Sequence, residues 1–291
     1  MQMDMFQGCS IAATPAKQDG LKGIYDMIGL MRKNWRGQVI FADMYSGAGK
    51  NIIDGQNVRG SPISMLEGLL LSVSRMRGIP SGNWAIVFND IVKGRATESL
   101  PQAVAGWQEE KRIAVDPTKL ICYTKDMQKF TIPISYKEGS AATLTKEIES
   151  LLNQYRGCHV IMAIDPNGPK DAPWNELRSI WDNHGKNAEM IFHISANTLK
   201  RVAKARQATN FNFSPMPDHM HGMIKAFRDA GGWIREPLGS DQWTIALLSK
   251  YPPEYGWMCQ GAKFHKIDSR SGKYIVSRLS LTKKEMAEVA L

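Results

Sequence analysis

Little in this chain suits a metal or a disulfide. Its four cysteines, Cys9, Cys122, Cys158 and Cys259, are scattered and form no C-x-x-C, which argues against a cysteine-built zinc site. Scattered thiols suit a reducing cytoplasm, where the protein is expected to reside. His219 and His221 sit two apart, but no acid or thiol of suitable spacing accompanies them, so no metal is expected. No apolar run approaches the ~18 residues that cross a bilayer, and no membrane contact is expected. The start has no basic stretch followed by an apolar core, so no signal peptide is expected. What the chain does have is positive charge, a formal net of +9. That admits an anionic partner, nucleic acid first. Its 291 residues, 43% hydrophobic and 22% charged, suffice for one large α/β domain or two small ones.

The chain is organised around Gly37–Asn51, "GQVIFADMYSGAGKN". Val39–Ala42 is a short apolar strand. It ends at Asp43 and runs into Tyr45-Ser46-Gly47-Ala48-Gly49. A strand, an acid and a glycine-rich turn are what an open α/β sheet uses to hold a nucleotide-like ligand at the carboxyl end of its first strand. Glycines there permit positive φ and leave no Cβ in a ligand's way. Asp43–Gly49 therefore reads as a cofactor loop. It is not a P-loop, because Gly49-Lys50 is followed by Asn51 and Met44 stands where the first glycine should be. A dinucleotide site lacks its third glycine, since Ile52 takes that place. An ordinary strand-to-loop turn remains the bland reading.

Further along, Lys17–Trp35 reads as a helix and Lys50–Gly60 as an extended loop. A helix is expected from Ser61 to Arg77, with Ser61 as N-cap and Pro62 at the first helical position. Trp84–Phe88 is the second strand, ending at Asn89-Asp90, where such folds hold ribose hydroxyls. Ala96–Arg112 looks helical. Leu120–Tyr123 is read as the third strand, with Lys125 and Asp126 just past its end. A helix over Ser140–Tyr155 precedes the continuous apolar run His159–Ile164, a buried central strand. That run delivers Asp165-Pro166-Asn167-Gly168-Pro169, a carboxylate placed to accept a hydrogen bond or a proton. Ala188–Ile194 is the fifth strand. Lys200, Arg201, Lys204 and Arg206 put four cations within seven residues, a phosphate-contacting helix or a solvated face. Trp233–Pro237 and Gln242–Leu248 look extended. Ala262–Ile267 and Tyr274–Leu281 are read as the last strands, joined by a turn at Asp268–Lys273. The result is a mostly parallel sheet with a terminal antiparallel hairpin in a single domain over 1–291. Residues 1–36 form an arm and helix, and about 205–240 an insertion or cap.

The string Asp43-Met44-Tyr45-Ser46-Gly47-Ala48-Gly49 resembles motif I of class I S-adenosylmethionine (SAM) methyltransferases. Together with "RGSPISMLEGL", "IMAIDPNGPKDAPWNEL" and Lys200-Arg201, it is most similar to the three-Cys-motif partner proteins of bacterial and phage genomes. The likeness covers about residues 37–206. It implies a Rossmann-like fold with SAM as cofactor. Asp43, Tyr45, Ser46, Gly47, Ala48 and Gly49 would wrap its methionine end, with Ser61 nearby. Asn89 and Asp90 would hold the ribose, Lys125 and Asp126 the adenine. Asp165, with Pro166 and Asn167, would face the methyl group. The acceptor implied is nucleic acid, DNA before RNA, at a base amino group. Two features depart from the pattern: Asp165-Pro166 is not followed by a second proline and an aromatic, and the interval from Asp43 to Asp90 is long. A non-catalytic SAM- or nucleotide-binding partner in a phage or mobile-element gene system is the alternative, with a protein partner encoded nearby. A methyltransferase for protein or a small molecule is the third reading.

Overall fold

The computed structural model describes residues 13–53, 56–166, 171–195, 232–235, 243–249 and 264–280. Within them the chain is a mixed α/β protein. It divides into two compact units, residues 1–161 and 162–291. None of the described helices is long and apolar enough to cross a membrane.

In the first unit, α1 (Ala13–Arg32) precedes β1 (Gln38–Asp43). A hairpin of β2 (Lys50–Ile53) and β3 (Gln56–Arg59) follows, then α2 (Ser61–Arg75) and β4 (Asn83–Asp90). Next come α3 (Leu100–Glu110), β5 (Lys119–Tyr123), β6 (Lys129–Glu138), α4 (Ala141–Gln154) and β7 (His159–Ile164). The strand order is β7-β1-β4-β6-β5. β1 and β6 both run parallel to β4, whereas β5 is antiparallel to β6. The core lies where α1 and α2 pack together, with Leu21, Ile24, Tyr25 and Ile28 buried against Leu66 and Leu69 on the other helix. Gly29 and Gly68 set that approach. A Cβ on Gly29 would stand 2.3 Å from Ser72 Oγ, and one on Gly68 2.5 Å from the Lys22 carbonyl. The helix-weakening glycines of α1 and α2 thus let two backbones come close, at a cost of about 1 kcal/mol each in propensity.

Four expectations for this unit need correction. Residues 50–60 are not an extended loop but the β2–β3 hairpin, paired from Lys50↔Arg59 to Ile53↔Gln56. Ser61 is not the N-cap of α2: Gly60 is, and Ser61 is the first helical residue. The Ala96–Arg112 helix opens with a π-helical turn at Arg95–Ser99. Strand β6 was missed altogether. Pro133 hides it, although Phe130, Ile132, Ile134 and Tyr136 alternate as a strand requires. The proline is tolerated because the β4 ladder begins one residue later, at Ile134.

In the second unit, which takes in the end of β7, α5 (Trp174–His184) leads to β8 (Ala188–Ser195). Then come β9 (Trp233–Arg235), β10 (Trp243–Leu248), β11 (Phe264–Lys266) and α6 (Arg270–Ser280). The strand order is β11-β9-β10-β8-β7, with β10 antiparallel to both β8 and β9. β11 is antiparallel to β9. The expected terminal hairpin is corrected here, because Arg270–Ser280 is a helix. Its N-cap gives the reason: Ser269 Oγ accepts the Gly272 amide at 3.1 Å, closing the first turn. The expectations for Asn167, for the cations Lys200, Arg201, Lys204 and Arg206 and for His219 and His221 fall outside the described residues, as does the cap expected at about 205–240 except for residues 232–235, which carry β9 of the sheet.

Candidate cofactor loop

β1 and β4 run side by side, Gln38↔Asn83 through Asp43↔Phe88, so their carboxyl ends emerge together. Asp43 is the last residue of β1 and is 1% exposed. Its Oδ1 accepts the Tyr45 amide at 3.1 Å, and its Oδ2 accepts the Ser61 hydroxyl at 2.6 Å. Asp43 therefore binds the start of the loop to the start of α2. Ser61, expected to cap α2, instead spends its hydroxyl on this buried carboxylate, as an ionised acceptor demands. The Asp43 charge also acts on Tyr25, whose hydroxyl is held well above its usual range by burial first and by Asp43 second.

Beyond Asp43 the chain leaves the sheet but keeps its tie to β4. The Ser46 amide donates to the Asn89 carbonyl at 2.8 Å, and the Asn89 amide donates to Ser46 Oγ at 3.0 Å. The Asn89 side-chain amide donates to the carbonyls of Met44 at 3.2 Å and Gly139 at 2.9 Å. One buried asparagine thus joins the ends of β1, β4 and β6. Asp90 completes the arrangement. Its Oδ2 accepts the Gly47 amide at 2.9 Å, and its Oδ1 accepts the Val92 amide at 2.7 Å.

Gly47 and Gly49 have φ of +61° and +72°, a region that favours glycine. They differ in surroundings. A Cβ on Gly49 would meet Leu100 Cδ1 at 2.5 Å, whereas one on Gly47 would meet nothing within 4 Å. Gly49 is glycine for packing. Gly47 leaves open space beside the Asp90 carboxylate, and Tyr45 and Ala48 are half-buried around it. The turn thus leaves room beside a carboxylate at the end of β4.

The structure separates Lys125 and Asp126 from this group. Because β5 is antiparallel to β6, its end points to the opposite end of the sheet. There the Gly78 amide donates to Asp126 Oδ1 at 3.0 Å, and the Lys125 amide donates to the Met76 carbonyl at 2.8 Å. The Asp126 carboxyl is held below its usual range by the Thr124 hydroxyl first and the Gly78 amide second. The strand that does deliver an acid beside Asp90 is β6. Glu138 stands in register with Asp90, and its Oε2 accepts the Gly94 amide at 2.8 Å and the Thr97 hydroxyl at 3.1 Å. The period-two pattern of β6 was the signal for it.

Next to the loop, α2 buries Glu67. Arg59 Nη1 donates to its Oε1 at 2.5 Å, Trp107 Nε1 donates to the same oxygen at 3.3 Å, and Lys111 Nζ lies 3.3 Å away. Burial pushes the Glu67 carboxyl up, but the Trp107 bond and the Arg59 and Lys111 cations outweigh it, so the net displacement is downward.

In the second unit, Asp165 follows the last residue of β7 and Pro166 follows it in turn. Asp165 Oδ1 lies 2.7 Å from His193 Nδ1. The carboxylate and the ring are partly exposed, 27% and 19%. His193 interrupts the apolar run Met190–Ile194 of β8, a signal in the sequence that went unread.

No protein-family model matches the chain, and no curated protein matches it. Two of the solved structures that match the chain show how distant the likeness is. One is a Legionella pneumophila protein of the DUF519 family, at a TM-score of 0.44 and 9% identity over 87% of this chain and 92% of that one. The other is Pichia pastoris phosphofructokinase in the T-state, at 0.37 and 10% identity over 86% of this chain and 92% of that one. Likeness at these values is too distant to carry fold or function across.

Proposed function

We propose that this protein is a SAM-dependent methyltransferase that modifies nucleic acid, at a base amino group. One observation carries the reading. The motif-I-like loop leaves the end of β1 and is held by Asp90, at the end of the neighbouring parallel strand, with the Cβ position of Gly47 open to a ligand. The Gly47–Gly49 turn would take the methionine end, and Asp90, which has lone pairs beyond its two amide bonds, the ribose hydroxyls. SAM would supply an activated methyl group. The protein would supply alignment, and by the resemblance Asp165 acts at the methyl acceptor. The antiparallel β10, lying between β8 and β9, agrees with the late antiparallel strands of the class I plan. The net charge of +9 favours a polyanionic acceptor over a protein or small molecule.

The second reading, a non-catalytic SAM-binding partner protein, is favoured by one feature: Pro166 is followed by Asn167-Gly168 rather than by a second proline and an aromatic. Titration calorimetry with SAM tests both readings at their root. Micromolar binding, lost in Gly47→Val, supports them. Absence of binding by folded protein removes them. Transfer of tritiated methyl to plasmid DNA or to total RNA then separates catalyst from partner.

A further inference from the structure

Three segments of the first unit meet at the amino end of its sheet, opposite the cofactor loop. They are residues 33–37 ahead of β1, 75–81 between α2 and β4, and 123–129 around the β5–β6 turn. The Ser81 amide donates to the Lys33 carbonyl at 2.7 Å, the Lys125 amide to the Met76 carbonyl at 2.8 Å, and the Lys33 ammonium to the Arg77 carbonyl. Together the segments carry six cations, Lys33, Arg36, Arg75, Arg77, Lys125 and Lys129, and one acid, Asp126. Little of that charge is cancelled within the fold. Arg75 pairs with Asp26 at 2.6 Å. Asp126 is taken up by the Gly78 amide, the Thr124 hydroxyl and the Gln128 side-chain amide. Arg36, Arg77, Lys125 and Lys129 are exposed and make no ion pair among the described residues. The other end of the sheet holds the acids Asp43, Asp90 and Glu138. Like charges gathered on one edge repel each other, and a polyanion laid across them offsets the repulsion.

We propose that this edge binds single-stranded nucleic acid, with Arg77, Lys125 and Lys129 on the phosphates and Tyr123 beneath a base. The aromatic ring among the cations selects that polyanion. Tyr123 stands opposite Lys129 in the β5–β6 ladder, so both side chains lie on one face, with Cβ atoms about 5 Å apart. Tyr123 is 48% exposed, and Ile79 and Met127, in the two adjoining turns, are exposed as well. A duplex hides its base faces in the stack, whereas a single strand offers them to such a ring. β1, β4 and β6 lie side by side at about 4.8 Å per strand, so the row of cations spans about 10 Å, the rise of about three nucleotides. The proposal stands apart from the SAM reading, because it uses none of the residues of the cofactor loop.

Fluorescence anisotropy of a fluorescein-labelled oligothymidylate of about 20 nucleotides, titrated with the full chain across a salt series, tests the surface. Arg77→Gln/Lys125→Gln/Lys129→Gln should bind at least about tenfold more weakly. It should also lower the slope of log K against log salt by about 2, since each phosphate contact on a single strand contributes about 0.7. Tyr123→Ala should weaken binding about fivefold or more, and Tyr123→Phe, which keeps the ring, should restore it. Lys93→Gln/Arg95→Gln/Lys146→Gln removes the same charge from elsewhere on the unit and should stay within about threefold of wild type. Urea midpoints show that each variant is folded. Equal weakening by the two triple variants overturns the proposal, as does absence of binding by folded wild-type protein. Binding to vesicles of phosphatidylserine and phosphatidylcholine, without binding to the oligonucleotide, overturns it in favour of a lipid surface. Oligonucleotide binding by a protein that takes up no SAM removes the methyltransferase reading and leaves this surface standing. SAM binding without oligonucleotide binding does the reverse.

Discussion

The Asp90 carboxylate receives the Gly47 amide at 2.9 Å, across 43 residues of chain. The tip of the glycine turn is therefore held by the end of the next strand. Asp90 is 7% exposed and serves the Val92 amide with its other oxygen. In Asp90→Asn one of these two amides faces an NH₂ group and loses its acceptor. Urea denaturation should show a loss of about 1–3 kcal/mol, and calorimetry a SAM affinity at least about tenfold weaker.

The two loop glycines should fail in different ways. Gly49→Ala pushes a methyl into Leu100 and keeps a positive φ, so it should destabilise the fold by about 1–3 kcal/mol. Gly47→Asn puts a residue that tolerates left-handed backbone into open space. It should denature within about 1 kcal/mol of wild type, yet bind SAM poorly because the side chain fills the turn. Equal SAM affinity in the Asn variant and in wild type would show that the ligand does not enter there.

Asp126→Ala should leave SAM binding within about twofold of wild type, since it sits at the opposite end of the sheet from Asp43 and Asp90. The same calorimetry checks it, and a large loss of affinity would contradict the placement of β5. Glu138→Gln is the informative partner experiment. It keeps one oxygen acceptor but removes the charge beside Asp90, so loop order at Gly94 and Thr97, read by amide exchange, should fall.

Glu67 makes the fold acid-sensitive. Its folded pKa is displaced below the ordinary value of 4.5. A depressed carboxyl contributes stability that is present above the unfolded pKa and lost as pH falls through the folded one. Wild-type stability should therefore decline as pH falls below about 4.5 more steeply than that of Glu67→Gln, measured by urea midpoints at successive pH values. At neutral pH the variant should be weaker by about 1–2 kcal/mol, a figure kept low because Arg59 and Lys111 are partly in water.

Much of the frame was legible because it rests on local pattern. The apolar runs of β1, β4, β7 and β8 are continuous or nearly so, and Pro62 marks the start of α2. Asp43, Asn89 and Asp90 could be assigned to strand ends from sequence alone, as could Asp165. β6 was lost to Pro133, whose position just ahead of the β4 ladder is a fact of pairing. α6 was lost because Tyr274-Ile275-Val276 has strand propensity, while Ser269, its cap, is a single residue in a turn-like string.

The amino-acid sequence by itself determined which residues stand at strand ends, where positive φ is available and that the chain is basic. These follow from side-chain type and period. Tertiary structure decided strand direction and side-chain partnership. Propensity does not encode whether β5 runs with or against β6, and that choice sends Asp126 to the far end of the sheet and brings Glu138 beside Asp90. Spacing along the chain likewise does not encode that Ser61 answers Asp43 or that His193 answers Asp165. Those pairs form because partly buried carboxylates take the nearest donors that the packed strands and helices present.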